Sequence, residues 1–352
     1  VARAPDNGPL RWVAATWMAE AGRGAEAVAH LEHLAGLGWP FALPPGPPFS
    51  SVADAPGFAA VAARLAAGAP RVARAREAFV LEEAELVPEG IAWAGRERLF
   101  LLGSIRQRKV VAVDAATGRA RDLVPARAHG LGEVLGMVVD GKGDLWVVSN
   151  ADGKSALHVF ALPSGALRRH VELAAPGDHL LNDVALARDG RAFVTDSHGG
   201  GVWLLRPGAG AFEPLVPGGT FRYPNGLALS ADERTLYVAQ WEDLRRVDVA
   251  SGAHGALPTP AGVVTGGLDG LKREGRALLA VQNGFGAAQV RRFTLAPDGA
   301  AVVRGEVLES ASPHLDMPTT GVVADGAFYV IGNSSLRGPP FRPAHVLRVP
   351  LR

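Results

Sequence analysis

From residue 77 onward the apolar positions fall into short paired runs divided by polar turns. One segment type recurs: a small dyad, an apolar run, a polar turn and a second apolar run. The copies are 89-EGIAWAGRERLFLLGS-104, 135-LGMVVDGKGDLWVVSN-150, 182-NDVALARDGRAFVTDS-197, 225-NGLALSADERTLYVAQ-240, 269-DGLKREGRALLAVQN-283 and 320-TGVVADGAFYVIGN-333. Successive copies start 43 to 51 residues apart, and further strand-like runs follow, such as Val110 to Val113 and Val202 to Leu205. About four strands in roughly 45 residues is the period of a β-propeller blade. Asp140-Gly141, Asp189-Gly190 and Asp325-Gly326 are hairpin turns by composition. The pattern predicts an all-β, six-bladed β-propeller over 77–352. The run 78-AFVLEE-83 is expected to close the ring, completing the blade that ends at 346–349.

Residues 1–76 read differently, as a small α-helical segment. Leu10 to Ala21 carries Trp12, Ala15 and Ala19 on one face and stops at Gly22. Ala25 to Ala35 carries Val28, Leu31 and Ala35, followed by Gly36, Gly38 and Pro40. The stretch 44-PPGPPFSS-51 reads as a stiff linker. A third helix over Gly57 to Ala67 places Phe58, Val61, Ala62 and Leu65 at helical spacing. The first pair resembles one tetratricopeptide helix-turn-helix unit, and a solitary unit cannot bury its own face. It is therefore expected to pack on the propeller, to continue repeats, or to bind a protein.

Composition narrows the function. Lys and Arg total 36 against 35 Asp and Glu, a net charge of +1, so a nucleic-acid partner is not expected. With Cys at 0, thiolate metal sites, thiol nucleophiles and disulfides are excluded. No apolar run approaches the roughly 20 residues of a membrane-spanning helix. The first residue is Val1 and no basic-then-apolar leader follows, which is compatible with a processed or a downstream start and assigns no compartment.

Aligning the six copies on their first residue gives the column Glu89, Leu135, Asn182, Asn225, Asp269, Thr320. First strands of propeller blades line the central channel, so these positions should form one ring. Two carboxylates and two amides are hard oxygen donors suited to Ca²⁺, and two formal negative charges match a dication. Any one Asn-Gly or Asp-Gly pair is ordinary turn chemistry. Asn, however, occurs besides Asn7 only at Asn150, Asn182, Asn225, Asn283 and Asn333. Each of these lies where a first strand starts or a second strand ends, at one face of the propeller.

The stretches Pro88-Glu89-Gly90-Ile91-Ala92, Leu181-Asn182-Asp183-Val184-Ala185, Tyr223-Pro224-Asn225-Gly226-Leu227 and Leu268-Asp269-Gly270-Leu271 resemble the gluconolactonase/regucalcin-like (senescence marker protein) family. That family is related to the calcium-dependent paraoxonases and diisopropylfluorophosphatases. The resemblance covers 77–352 and implies metal ligands at Glu89, Asn182, Asn225 and Asp269. The ion implied is Ca²⁺ or another divalent cation such as Zn²⁺, Mn²⁺ or Mg²⁺. It also implies a catalytic role for Asp269 as base or nucleophile.

The expected function is hydrolysis of a lactone or related ester, the substrate being a small molecule. A phosphotriesterase on the same site, or a non-catalytic ligand- or protein-binding propeller with structural calcium, are the alternatives. Asn150, Arg222, Tyr223, Gln282, Asn283, Thr320 and Asn333 are candidate substrate contacts. Asp183 and Asp196 are candidates for outer support, Asp183 by orienting Asn182. His129, His179, His198 and His314 lie in loops that could approach the same face and are assigned no role. No G-x-S-x-G elbow or Walker loop is present, and 198-HGGG-201 reads as a hairpin.

Overall fold

The computed structural model describes residues 6–352. The propeller is formed by six four-stranded antiparallel sheets. Five are built from consecutive strands, spanning 88–124, 133–172, 181–216, 227–256 and 268–309. The closing strand β1 (Arg76–Leu81) instead joins the last three strands of the chain, in the order β1, β24 (Ala344–Pro350), β23 (Ala327–Ile331), β22 (Gly321–Ala324). The expected closing strand thus forms two residues earlier than its sequence pattern suggested. Leu81 lies opposite Ala344 and Arg76 opposite Arg348.

The inner strands of the six sheets are β2 (Pro88–Ala94), β6 (Glu133–Val139), β10 (Leu181–Leu186), β14 (Leu227–Leu229), β18 (Leu268–Glu274) and β22. Each touches the inner strand on either side, which closes a ring around the axis. The second strand of a blade is covered on both faces by neighbouring blades, so it tolerates no alternation. In β3 (Leu99–Ser104) and β11 (Ala192–Asp196) every residue is buried. Outermost strands face solvent on one side and alternate, as in β9 (Ala166–Glu172, sequence ALRRHVE).

The dyads that open the inner strands are placed by packing, contrary to a turn reading. In β2, β6, β10 and β18 the register slips by one residue at the dyad: Pro88 faces Ser104 but Ile91 faces Leu102, and Leu268 faces Gln282 but Leu271 faces Ala280. The same slip falls between Val134 and Met137 and between Leu181 and Val184. Such bulges re-aim a side chain, here the first residue of each dyad. The second residue meets the adjacent inner strand. A Cβ on Gly90 would lie 1.9 Å from the Leu135 carbonyl oxygen, and one on Gly270 2.0 Å from Thr320 Oγ1. Neither has a left-handed backbone. Glycine is required there by close approach.

Residues 8–20, 24–36 and 58–68 form helices α1 (Gly8–Glu20), α2 (Gly24–Gly36) and α3 (Phe58–Gly68). The stretch expected to be a linker is part of their core: Phe49 is buried, with its ring centroid 5.2 Å from that of Trp12. This core includes one propeller residue, Phe285, against which Trp39 packs at 5.6 Å. Gln289 Nε2 donates to the Pro40 carbonyl at 2.8 Å, and Ala287 N donates to that of Ala42 at 2.9 Å.

Gly90→Ala is expected to cost about 1–3 kcal/mol or more in urea unfolding, because backbone must move to admit the methyl group. Gly141→Ala, in an exposed hairpin where a Cβ meets nothing within 4 Å, should change the midpoint little.

Candidate active site at the channel mouth

The bulged dyads bring Glu89, Asn182 and Asp269, and the segment just before β14 brings Asn225, to one end of the channel. Glu89 is 7% exposed, Asn182 4% and Asp269 9%. All four line a cavity of about 330 Å³ that opens at the starts of the inner strands. Its walls are largely apolar, including Ile105, Leu135, Leu180, Trp241, Met317 and Leu336. Below the ring the space narrows to about 10 Å³, lined by Ile91, Met137, Asp183, Lys272 and Thr320 among others. A larger cavity of about 560 Å³ lies beyond it, at the ends of the inner strands, and shares none of the four ring residues. The ring is therefore approached from the mouth.

The hydrogen bonds orient oxygen toward this space. Asn182 Nδ2 donates to Ser197 Oγ at 2.9 Å, leaving its Oδ1 without a protein donor among the described residues. Asn283 Nδ2 donates to Asp269 Oδ2 at 2.6 Å and to the Pro318 carbonyl at 2.7 Å. The Asn225 amide also donates to Asp269. Burial pushes the Asp269 carboxyl up to about 7, against the opposing pull of the Asn283 and Asn225 hydrogen bonds, and the Asp183 charge adds to the rise. Burial likewise raises Glu89 well above the ordinary range, with the Asp269 and Asp183 charges adding to it. Tyr223, at the cavity wall, is raised by burial and by Asp269 and Glu89.

This donor set fits a divalent cation. Lys272 Nζ binds Asp183 at 2.8 and 3.2 Å, so Asp183 has a cationic partner within hydrogen-bond reach. Among the described residues Glu89 and Asp269 have none. Two buried carboxylates, amide oxygens and the buried Thr320 Oγ1, which has no hydrogen-bond partner among the described residues, leave an uncompensated anionic site of oxygen ligands. An unpaired buried charge is costly, and a dication would offset two.

Other candidates divide clearly. Asn283, Thr320 and Tyr223 lie on the cavities around the ring. The Arg222 side chain is largely exposed and pairs with Glu242 at 3.4 Å, beyond the cavity wall. Asn150 is taken up by the backbone of Leu181, donating to its carbonyl and accepting from its N–H, both at 2.9 Å. Gln282 donates to the Gly266 carbonyl at 2.6 Å and accepts from Arg291 Nη1 at 2.9 Å. Asn333 holds the Pro343 carbonyl and the His345 N–H within its own blade. These three amides sit at the strand ends their spacing indicated, but brace the loops instead of facing the cavity.

The Asp183 carboxylate is held not by Asn182 but by Val184 N, Leu227 N and Lys272 Nζ, and the spacing argument passed over Lys272 because it is the fifth residue of a strand. Asp196 accepts from His179 Nδ1 at 2.6 Å, Trp203 Nε1 at 3.0 Å, and the Leu180 and Gly199 N–H groups. Burial works against its ionisation, yet these bonds together hold it below the usual range. His129, His179, His198 and His314 do not line the mouth cavity. The 198–201 stretch is the turn between β11 and β12 (Gly201–Leu205).

Residues 87–302 match the family model described as the SMP-30/Gluconolactonase/LRE-like region. The chain belongs to this family. Membership supports a lactonase-type hydrolase. Solved structures similar in fold include a gluconolactonase from Xanthomonas campestris, 19% identical, covering 80% of this chain and 91% of that one at a TM-score of 0.56. A calcium-binding protein, regucalcin, from Agrobacterium tumefaciens is 17% identical, covering 78% and 96% at 0.54. A PQQ-bound aldose sugar dehydrogenase from Streptomyces coelicolor is 16% identical, covering 78% and 98% at 0.57. At these identities the likeness carries the fold alone, and one fold hosts several chemistries. A search of curated proteins finds no sequence match.

In the metal-free chain the raised Asp269 carboxyl binds its proton more tightly when folded than unfolded. Its contribution to stability is complete below the ordinary value of 3.8 and is lost as pH rises through about 7. Urea midpoints of the chelated protein should therefore fall across that window, and Asp269→Asn should flatten the fall. An unchanged slope in the variant would refute the assignment.

Proposed function

We propose that this chain is a divalent-cation-dependent hydrolase of lactones or related esters, with Ca²⁺ as the ion and Asp269 as the catalytic group. The observation that carries the proposal is the pair of buried carboxylates, Glu89 and Asp269, joined by the oxygens of Asn182 and Asn225 at the floor of a mouth cavity. These four residues would hold the ion. When bound, it would supply Lewis-acid polarisation of the substrate carbonyl and stabilise charge on its oxygen.

The chain's own part is positional and acid–base. Asn283 fixes the Asp269 carboxylate by the 2.6 Å bond to Oδ2. Asp269 takes the proton of an attacking water as the new carbon–oxygen bond forms. It returns that proton to the ring oxygen as the acyl–oxygen bond breaks, giving a hydroxy acid. The apolar walls exclude bulk water and seat the remainder of the substrate. Because Ile105, Leu135, Leu180, Trp241, Met317 and Leu336 dominate them, we assign the substrate as an alkyl- or aryl-substituted lactone in preference to a polyhydroxylated one.

Asp269→Asn should lower kcat by about 10²–10⁴-fold with the fold intact, and chelation should abolish turnover reversibly. Across a lactone panel, kcat/KM should rise with alkyl length until the cavity of about 330 Å³ is filled. Full activity of Asp269→Asn would remove it as the catalytic group. Tight metal binding with no turnover of any lactone, ester or phosphotriester would favour a binding propeller.

A further inference from the structure

Glu77, His314 and His345 gather at the seam where the ring closes, and none of them lines the mouth cavity. Their ligand atoms all lie within 4.8 Å of one another. His345 Nδ1 is 2.6 Å from Glu77 Oε2, His314 Nε2 is 4.0 Å from the same oxygen, and the two imidazoles stack at 3.9 Å between centroids. We propose that these three residues form a second metal site, for Zn²⁺ or a neighbouring late transition metal, that clasps the closure of the propeller.

Backbone structure holds all three donors in place. Glu77 lies opposite Leu347, and His345 is two residues from Leu347 on β24, so both side chains project from the same face of the ladder. A bulge between Glu77 and Phe79 bends β1 at that point. The His345 N–H is fixed by Asn333 Oδ1 at 2.8 Å, and its carbonyl accepts from Gly332 N at 2.8 Å. The loop bearing His314 is tied to the same residue, since Asp316 N donates to the Gly332 carbonyl at 2.9 Å. A Cβ on Gly332 would lie 2.6 Å from the His314 carbonyl oxygen.

Two imidazole nitrogens and one carboxylate oxygen are a borderline-soft set that suits Zn²⁺, Ni²⁺ or Cu²⁺ and disfavours Ca²⁺. Tetrahedral coordination with bonds of roughly 2.0–2.2 Å needs donors about 3.3 Å apart. The present separations lie on both sides of that value, so rotation of partly exposed side chains brings them to it. The ion would take the place of the His345–Glu77 hydrogen bond, and solvent would fill the fourth position. Because the ligands come from the first strand, the last strand and the loop entering the last blade, binding couples to the folded ring.

Zinc titration of the full chain in saturating Ca²⁺, by calorimetry and thermal unfolding, tests this. One Zn²⁺ per chain and a rise in Tm with zinc are expected. His314→Ala, outside the closing ladder, should weaken zinc binding by more than the roughly 10–100-fold typical of losing an outer-shell partner. Its Tm without zinc and its Ca²⁺-supported activity should stay unchanged. Glu77→Gln should weaken zinc binding in the same way. Stoichiometric zinc binding that survives in both variants, or no zinc-dependent Tm shift in the unaltered protein, would overturn the proposal.

Discussion

The structure depends on how closely six inner strands can approach one axis. At that crowding a side chain on the second residue of the dyad would strike the next strand, as a Cβ on Gly90 would against Leu135 and one on Gly270 against Thr320. The first residue is then turned by the bulge toward the axis, where no other strand competes for the space. The same geometric need that selects glycine for packing presents Glu89 and Asp269 to each other. Ring closure and site construction are one event.

That event is electrostatically unfavourable without a cation. Burial raises both Glu89 and Asp269; the Asp269 and Asp183 charges add to the rise at Glu89, and the Asp183 charge to that at Asp269. Lys272 binds Asp183 beneath the ring and leaves the two mouth-facing carboxylates unmatched. Such a pair is the physical ground for the cation proposed at the channel mouth. Hydrogen bonds from Asn182, Asn225 and Asn283 orient the oxygens and so prepare the site before any ligand arrives.

The helical segment contributes in a different way. Its core is completed by Phe285 from the loop following the fifth inner hairpin, adjacent to Asn283 and thus to Asp269. Trp241, a wall of the mouth cavity, also contacts Phe285, at 5.4 Å between ring centroids. The segment therefore abuts the framework of the site without lining the ring. The apparent linker at 44–51 was misleading for a physical reason: Pro and Gly read as stiffness, while the buried partner of Phe49, Trp12, lies more than thirty positions earlier.

The repeat of apolar pairs, the turn residues between them and the column of Glu89, Asn182, Asn225 and Asp269 were legible along the chain, because blade period and strand alternation are local properties. Asn150, Gln282 and Asn333 shared the same positional signal and could not be told apart from ring residues, since whether an amide meets a cavity or a neighbouring carbonyl depends on a partner blade. Lys272 carried no signal, for its meaning lies in a contact with Asp183, 89 positions away. The seam of Glu77, His314 and His345 is of the same kind. By itself the sequence determined six blades, their closing strand and the oxygen chemistry of the ring. Which polar groups are left unpaired in the closed channel was decided only by tertiary structure, because hydrogen-bond satisfaction is a property of contacts between distant segments.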